Sequence, residues 1–187
     1  MPKDSDEFCD HRVPNDKEML MSDAGLDQHE RTILCVARYF FISFAEPFTQ
    51  AWAQGITAAE DLPVGGSDVQ PVALVLNVVH AMRSSRMSCF QFNCPVCPVC
   101  SEILSEQERQ LMGTITALRE GRSGTAHTHA MLLCEGNDTN EFLQSVQKLV
   151  EILPRFERVG CPRTLRPIGL LDAPVSDHLK LRHDWKN

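Results

Sequence analysis

The chain of 187 residues predicts an all-α domain of about five helices, interrupted in its middle by a cysteine-rich metal-binding connection. Three observations carry that reading. Two capping boxes, Asp27-Gln-His-Glu30 and Ser105-Glu-Gln-Glu108, each stand ahead of an apolar stripe at helical spacing. A long apolar run opens with Pro71, a residue suited to the first turn of a helix. Between that run and the second capping box lies CFQFNCPVCPVC, residues 89–100, which holds four of the eight cysteines.

Taken in order, residues 1–26 have low hydrophobicity and no sustained period, so they read as a flexible acidic tail. The helical domain spans 27–154. Its first helix carries Ile33, Leu34, Ala37, Phe40, Phe41 and Phe44 on one stripe. Pro47 ends or kinks it, and Phe48, Ala51 and Trp52 continue the pattern. Residues 55–68 form a turn-rich connector. The run 69–86 is apolar nearly all round, which predicts a buried helix, although its valines also suit a strand. Phe90–Phe92 is the one candidate short strand. Behind Ser105 the stripe is Leu111, Met112, Ile115 and Leu118, and Gly121 and Gly124 break that helix. A short helix over 125–134 ends at Glu135-Gly136. The last helix, capped within Asn137–Thr139, presents Phe142, Val146, Leu149, Val150 and Leu153 and stops at Pro154. Residues 155–187 read as an irregular, mildly basic tail.

The formal net charge is −7, unevenly spread. Residues 1–30 hold nine acids against Lys3, Arg12 and Lys17, whereas from Arg155 onward there are seven bases and four acids. An acidic balance argues against broad nucleic-acid binding, which needs surplus cations to displace counterions. No run of eighteen apolar residues predicts a membrane span. The N-terminal stretch is acidic where a secretory leader would be basic, so the expected compartment is the cytoplasm. Thiols stay reduced there, and clustered cysteines point to metal or redox chemistry rather than to a disulfide framework.

Within the block the spacing is Cys89-x4-Cys94-x2-Cys97-x2-Cys100. Two residues between thiols let the chain turn so that both sulfurs reach one ion, and structural zinc takes four such ligands at about 2.3 Å. Proline after Cys94 and after Cys97 stiffens each turn. The expected ligands are therefore Cys89, Cys94, Cys97 and Cys100, with zinc as the metal. Cys161, His127, His129 and Cys134 are the substitutes for the fourth position. His127 and Cys134 lie seven apart on one predicted helix face, which supports that alternative. Cys134 in MLLC also reads as a small buried hydrophobe, and Cys35 sits in an apolar stripe and reads as core.

The same residues resemble other chemistries. Cys94, Cys97 and Cys100 are similar to the clustered ligands of bacterial ferredoxins, and Cys161-Pro162 to their distant fourth ligand. Cys89-x4-Cys94-x2-Cys97 is similar to the plant-type ferredoxin spacing. Both resemblances imply an iron–sulfur cluster for redox sensing or electron transfer. A CPVC behind the candidate strand FQF resembles the redox motif of thioredoxin-like folds. The stretch Leu104-Ser-Glu-Gln-Glu-Arg-Gln-Leu111 resembles the opening of the DNA-binding domain in LuxR-type response regulators, which implies a helix-turn-helix regulator. A recognition helix over 125–134 carries no Lys or Arg, and one over 139–153 carries Lys148 alone, so the cations that read bases and phosphates are few.

No catalytic signature stands out: there is no nucleophile elbow, zinc-protease helix, P-loop or dinucleotide fingerprint. The expectation leans away from an enzyme. It is a small cytoplasmic zinc-binding protein with a regulatory or adaptor role, acting by protein–protein interaction. Its partner is another protein, with no membrane and with homo-oligomer formation left open. The aromatic stripe Phe40, Phe41, Phe44, Phe48, Trp52 is core where buried. Any exposed part of it is a protein-binding face.

Overall fold

The computed structural model describes residues 13–63 and 70–154. Among them are seven helices: α1 Gln28–Ala45, α2 Trp52–Ala58, α3 Pro71–Ser85, α4 Pro98–Ser101, α5 Glu106–Arg119, α6 Ser123–Leu133 and α7 Asn140–Ile152. Two short strands, β1 Met19–Leu20 and β2 Ile103–Leu104, pair antiparallel with Met19 opposite Leu104. The fold is mostly helical, as the periodicity predicts. The two helices beyond the expected five are α2, split from α1 by a 3-10 turn at Pro47–Thr49, and the single turn α4 inside the cysteine block. Cys9, Cys161 and the segment 155–187 lie outside the described residues.

Both capping boxes form. The Glu30 amide donates to Asp27 Oδ1 at 2.9 Å, and the Asp27 amide to Glu30 Oε2 at 3.1 Å. Ser105 and Glu108 exchange the same pair of bonds at 3.1 and 2.8 Å. Each box satisfies amides at a helix start that have no intrahelical acceptor. Pro71 occupies the first turn of α3, and the run is helix, not strand, because its apolar ring is packed on two sides by other helices. α1, α3, α7 and α5 touch one another in that cyclic order and enclose the core, while α2 lies on α1 and α6 on α5. The core holds Ile33, Leu34, Val78, Met82, Leu111, Ile115, Phe142 and Leu149, all buried.

Two local expectations are corrected. Phe90–Phe92 is not a strand. Phe90 and Phe92 both stack on Phe41, at ring-centroid distances of 4.3 and 5.4 Å. The polar groups of Gln91 between them are met by side chains: its amide donates to Gln107 Oε1 at 2.6 Å, and its carbonyl accepts from Ser105 Oγ at 2.7 Å. An extended segment whose backbone is satisfied this way needs no neighbouring strand. The second correction concerns the start of the domain. Ordered packing begins before Asp27: Met19–Leu20 pairs with β2, and Met21 is buried. The Met21 amide donates to the Glu102 carbonyl at 2.8 Å.

Candidate functional site

α1 and α5 are tied together by a reciprocal pair of ionic contacts built on their capping boxes. Arg38, in the middle of α1, is 2% exposed, and Glu108, the third residue of α5, is 0% exposed. The guanidinium grips the carboxylate through both oxygens, Nε to Oε1 at 2.7 Å and an NH2 bond to Oε2 at 3.0 Å. It also donates to the carbonyls of Ser101 (2.8 Å) and Ile103 (2.6 Å). Asn93 joins the cluster: its amide donates to Glu108 Oε1 at 3.1 Å and its side chain to the Ile103 carbonyl at 2.8 Å. At the other end Arg119 of α5 reaches back to Asp27 and lies 3.4 Å from the buried Glu30. Thr116 Oγ1 donates to Glu30 at 2.9 Å. A bidentate pair whose remaining donors are satisfied is the favourable form of a buried ion pair.

The cysteine block is draped over this cluster. Cys89 and Cys94 are exposed, Cys97 is half-buried and Cys100 is buried. Cys97 caps the single turn α4, its sulfur accepting from the Cys100 amide at 3.4 Å. Arg38 and Asn93 anchor the far end of the block. Its near end is held by the turn after α6: Glu135 there accepts from the amide of Met87 at 2.8 Å and pairs with Arg86 at 3.0 Å. Among the described residues, no three His, Cys, Asp or Glu side chains form a group that could hold a metal ion. Of the candidate substitutes, His127 is exposed and Cys134 fully buried, so the two do not share an open face. His129 is half-buried with Nδ1 at 2.7 Å from Gln110 Oε1. Burial, then the neighbouring Arg122 cation, push its pKa below the ordinary imidazole value. Cys35 is half-buried rather than core, and lines a polar cleft with Arg31, Pro95 and Glu102. Burial, then the Cys35 and Cys94 thiols, raise the pKa of Tyr39 beside them.

The aromatic stripe is split by the structure. Phe40 and Phe41 are buried, whereas Phe44 emerges at the end of α1 and Phe48 is 99% exposed on the 3-10 turn. α2 turns back along α1, and Gly55 makes that approach feasible: a Cβ there would stand 3.2 Å from the Cβ of Tyr39. With Gly55 pressed on α1, Trp52 and Ile56 are left 48% and 44% exposed one turn apart. They face Phe44 of α1 and Val72 and Leu76 of α3 across a groove of about 390 Å³ with almost no polar wall. At its Phe44 end, the exposed Arg83 sits over the ring at 3.8 Å and has no ion pair among the described residues. Single exposed apolar residues are ordinary; here four exposed ones, Phe44, Trp52, Ile56 and Leu76, and the half-buried Val72 line one groove.

No protein-family model, no curated protein and no solved structure matches the chain. No helix among the described residues is long and apolar enough to cross a membrane.

Proposed function

We propose that the chain is a helical interaction module whose partner protein lays an amphipathic helix into the groove between α1, α2 and α3. The supporting observation is the convergence of Phe44, Trp52, Ile56, Val72 and Leu76 on one apolar trough open to solvent. Helix-in-groove recognition uses apolar anchors at i, i+3 or i+4, and i+7, and Trp is the residue type most enriched at energetic centres of interfaces. Arg83 at one end selects the polarity of the partner: an acidic residue about a turn beyond the anchors completes it electrostatically. An adaptor or regulatory role follows from that mode of binding.

The test is selection from a displayed library of helical peptides, with the full chain as bait. The expected winners carry the anchor period with an acid at one end, and lose binding about tenfold or more to Trp52→Glu or Ile56→Glu chains of unchanged thermal midpoint. Winners that lack the period, winners that bind both variants as tightly, or an empty selection would overturn the reading. So would a concentration-dependent dimer abolished by Trp52→Glu, which would make a second copy the occupant.

A second reading concerns metal at the cysteine block, supported by the C-x2-C spacing and the accessibility of Cys94 and Cys97. Zinc there would draw Cys94 and Cys97 together with further thiols, Cys89 and Cys100 first, and stiffen the connection between α3 and α5. Elemental analysis of protein purified without oxygen tests it. One zinc per chain, lost in Cys94→Ser, supports zinc. Iron with acid-labile sulfide replaces it with a cluster, and no metal removes both.

A further inference from the structure

A second cavity, of about 430 Å³, is formed by the segment around Met19–Leu26 together with α5 and α6. It shares no lining residue with the apolar groove. Leu26, Leu104 and Met112 give it an apolar wall, and Arg109, Arg122 and His129 give it a basic one. Such a concentration of cationic and imidazole groups is unexpected on a chain of net charge −7.

Arg109 is the decisive residue. Its guanidinium has no ion pair or side-chain hydrogen bond among the described residues, and its Nε is buried without a partner. A buried donor of a charged group left unmet is costly and calls for a reason. Arg86 also has a buried, unmatched Nε, but its terminal nitrogens are engaged by Leu133, Ser88 and Glu135. Arg109 has no such engagement. Beside it, His129 is set in place from two sides. Gln110 holds Nδ1, and Gly113 leaves room for the ring where a Cβ would lie 2.9 Å from it. The opposing charges are Asp23, which lines the cavity from the N-terminal segment, and Glu120, which pairs with Arg122.

We propose that this cavity binds a small oxyanion ligand, a phosphate or carboxylate carried on a short apolar body. Arg109 and Arg122 take the oxyanion, Leu26 and Met112 the apolar part, and His129 the remaining polar group of the ligand. The volume lies within the range of small-molecule sites, and the mixture of an apolar wall with few convergent polar groups is their usual composition. Guanidinium is the side chain best matched to a planar or tetrahedral oxyanion.

The test is a nuclear magnetic resonance titration of the isotope-labelled full chain with octyl phosphate, octanoate and neutral octanol. Binding of either anion should shift the His129 ring and the Arg109 Nε–H signals, with octanol about tenfold weaker or worse. The anion that saturates at lower concentration identifies the head group. Arg109→Gln should weaken that anion about tenfold without lowering the thermal midpoint, and Arg122→Gln, at an exposed position, provides the same readout if Arg109→Gln folds poorly. Silence of both signals with either anion at about 10 mM, far above the affinity of a specific site, would overturn the proposal. So would octanol binding as tightly as the anions, or both arginine variants binding like the parent chain. The Trp52→Glu chain should bind the anion normally, which separates this site from the groove.

Discussion

Replacing Arg38 by methionine keeps most of the side-chain volume and removes the guanidinium. Glu108, 0% exposed, would then keep its charge against the backbone amides of Ser105 and Asn93 and a long 3.5 Å bond from the Asn93 side chain, with no cation beside it among the described residues. The Ser101 carbonyl would lose its side-chain donor, while Ile103 would keep Asn93. Removing one partner of a buried ion pair costs roughly 3–5 kcal/mol, because the other charge is stranded. Against a domain stability of about 5–15 kcal/mol, and an m-value of about 2 kcal/mol per molar urea, the unfolding midpoint should fall by roughly 1.5–2.5 M. Urea unfolding followed by circular dichroism measures it. Thiol labelling of the native state gives an independent readout: Cys100, buried in α4 next to the Ser101 carbonyl that Arg38 holds, should react faster in the variant. Glu108→Gln should cost a comparable amount, and the double variant should lose less than the sum, by about 0.5–3 kcal/mol. A loss below about 1 kcal/mol for Arg38→Met, or strict additivity of the two changes, would refute the claim that this pair fixes the connection.

Other outcomes follow from single contacts. Gly113→Ala would normally favour a helix by about 1 kcal/mol, but the added methyl meets His129 at 2.9 Å, so the variant should be destabilised, and His129→Ala should reverse the sign. Thermal unfolding of the parent, the two single variants and the double variant decides it. For Asp27, burial opposes the charge, but the Glu30 amide and the Arg119 guanidinium outweigh it and hold the carboxyl below its ordinary value of 3.8. The unfolded chain therefore takes up the proton first. The contribution is complete above that ordinary value and is lost as pH falls through the folded one. Stability against pH should be flatter below about pH 5 in Asp27→Asn, and parallel profiles would contradict this. Phe48→Ser, at a fully exposed position, should leave the unfolding free energy measured in urea within about 0.5 kcal/mol of the parent.

Much of the helical framework is legible in the sequence. Asp27 and Ser105 announce their helices because a capping box is a local device, and the stripe on α7 faces inward as its period requires. The long-range pairings are not legible in the same way. Arg38 falls within the apolar stripe between Leu34 and Phe41, and an arginine at i+4 on a buried face is a signal of a buried partner. It does not say that the partner is Glu108, seventy residues on. The FQF segment mimics a strand because Phe90 and Phe92 share a side, although the side chains of Gln107 on α5 and of its N-cap Ser105 satisfy the backbone between them. The groove was half readable. The aromatic stripe names Phe44 and Trp52, but Ile56 and Leu76 join them only because Gly55 lets α2 fold back against α1. The cavity beside Arg109 has no linear signature, since its walls come from three separate segments.

The most direct test of the groove uses Trp52 itself. With Trp185→Phe, Trp52 is the one tryptophan left of the two in the chain, and at 48% exposure its emission should be that of a half-solvated indole. Titration with a peptide from the helical selection should shift the emission to shorter wavelength and saturate, as the indole loses water beneath the partner helix. Arg83→Glu should weaken the acid-bearing peptide while leaving the unbound spectrum unchanged. Binding without any change at Trp52, or with no dependence on Arg83, would contradict the assignment of this groove as the docking site.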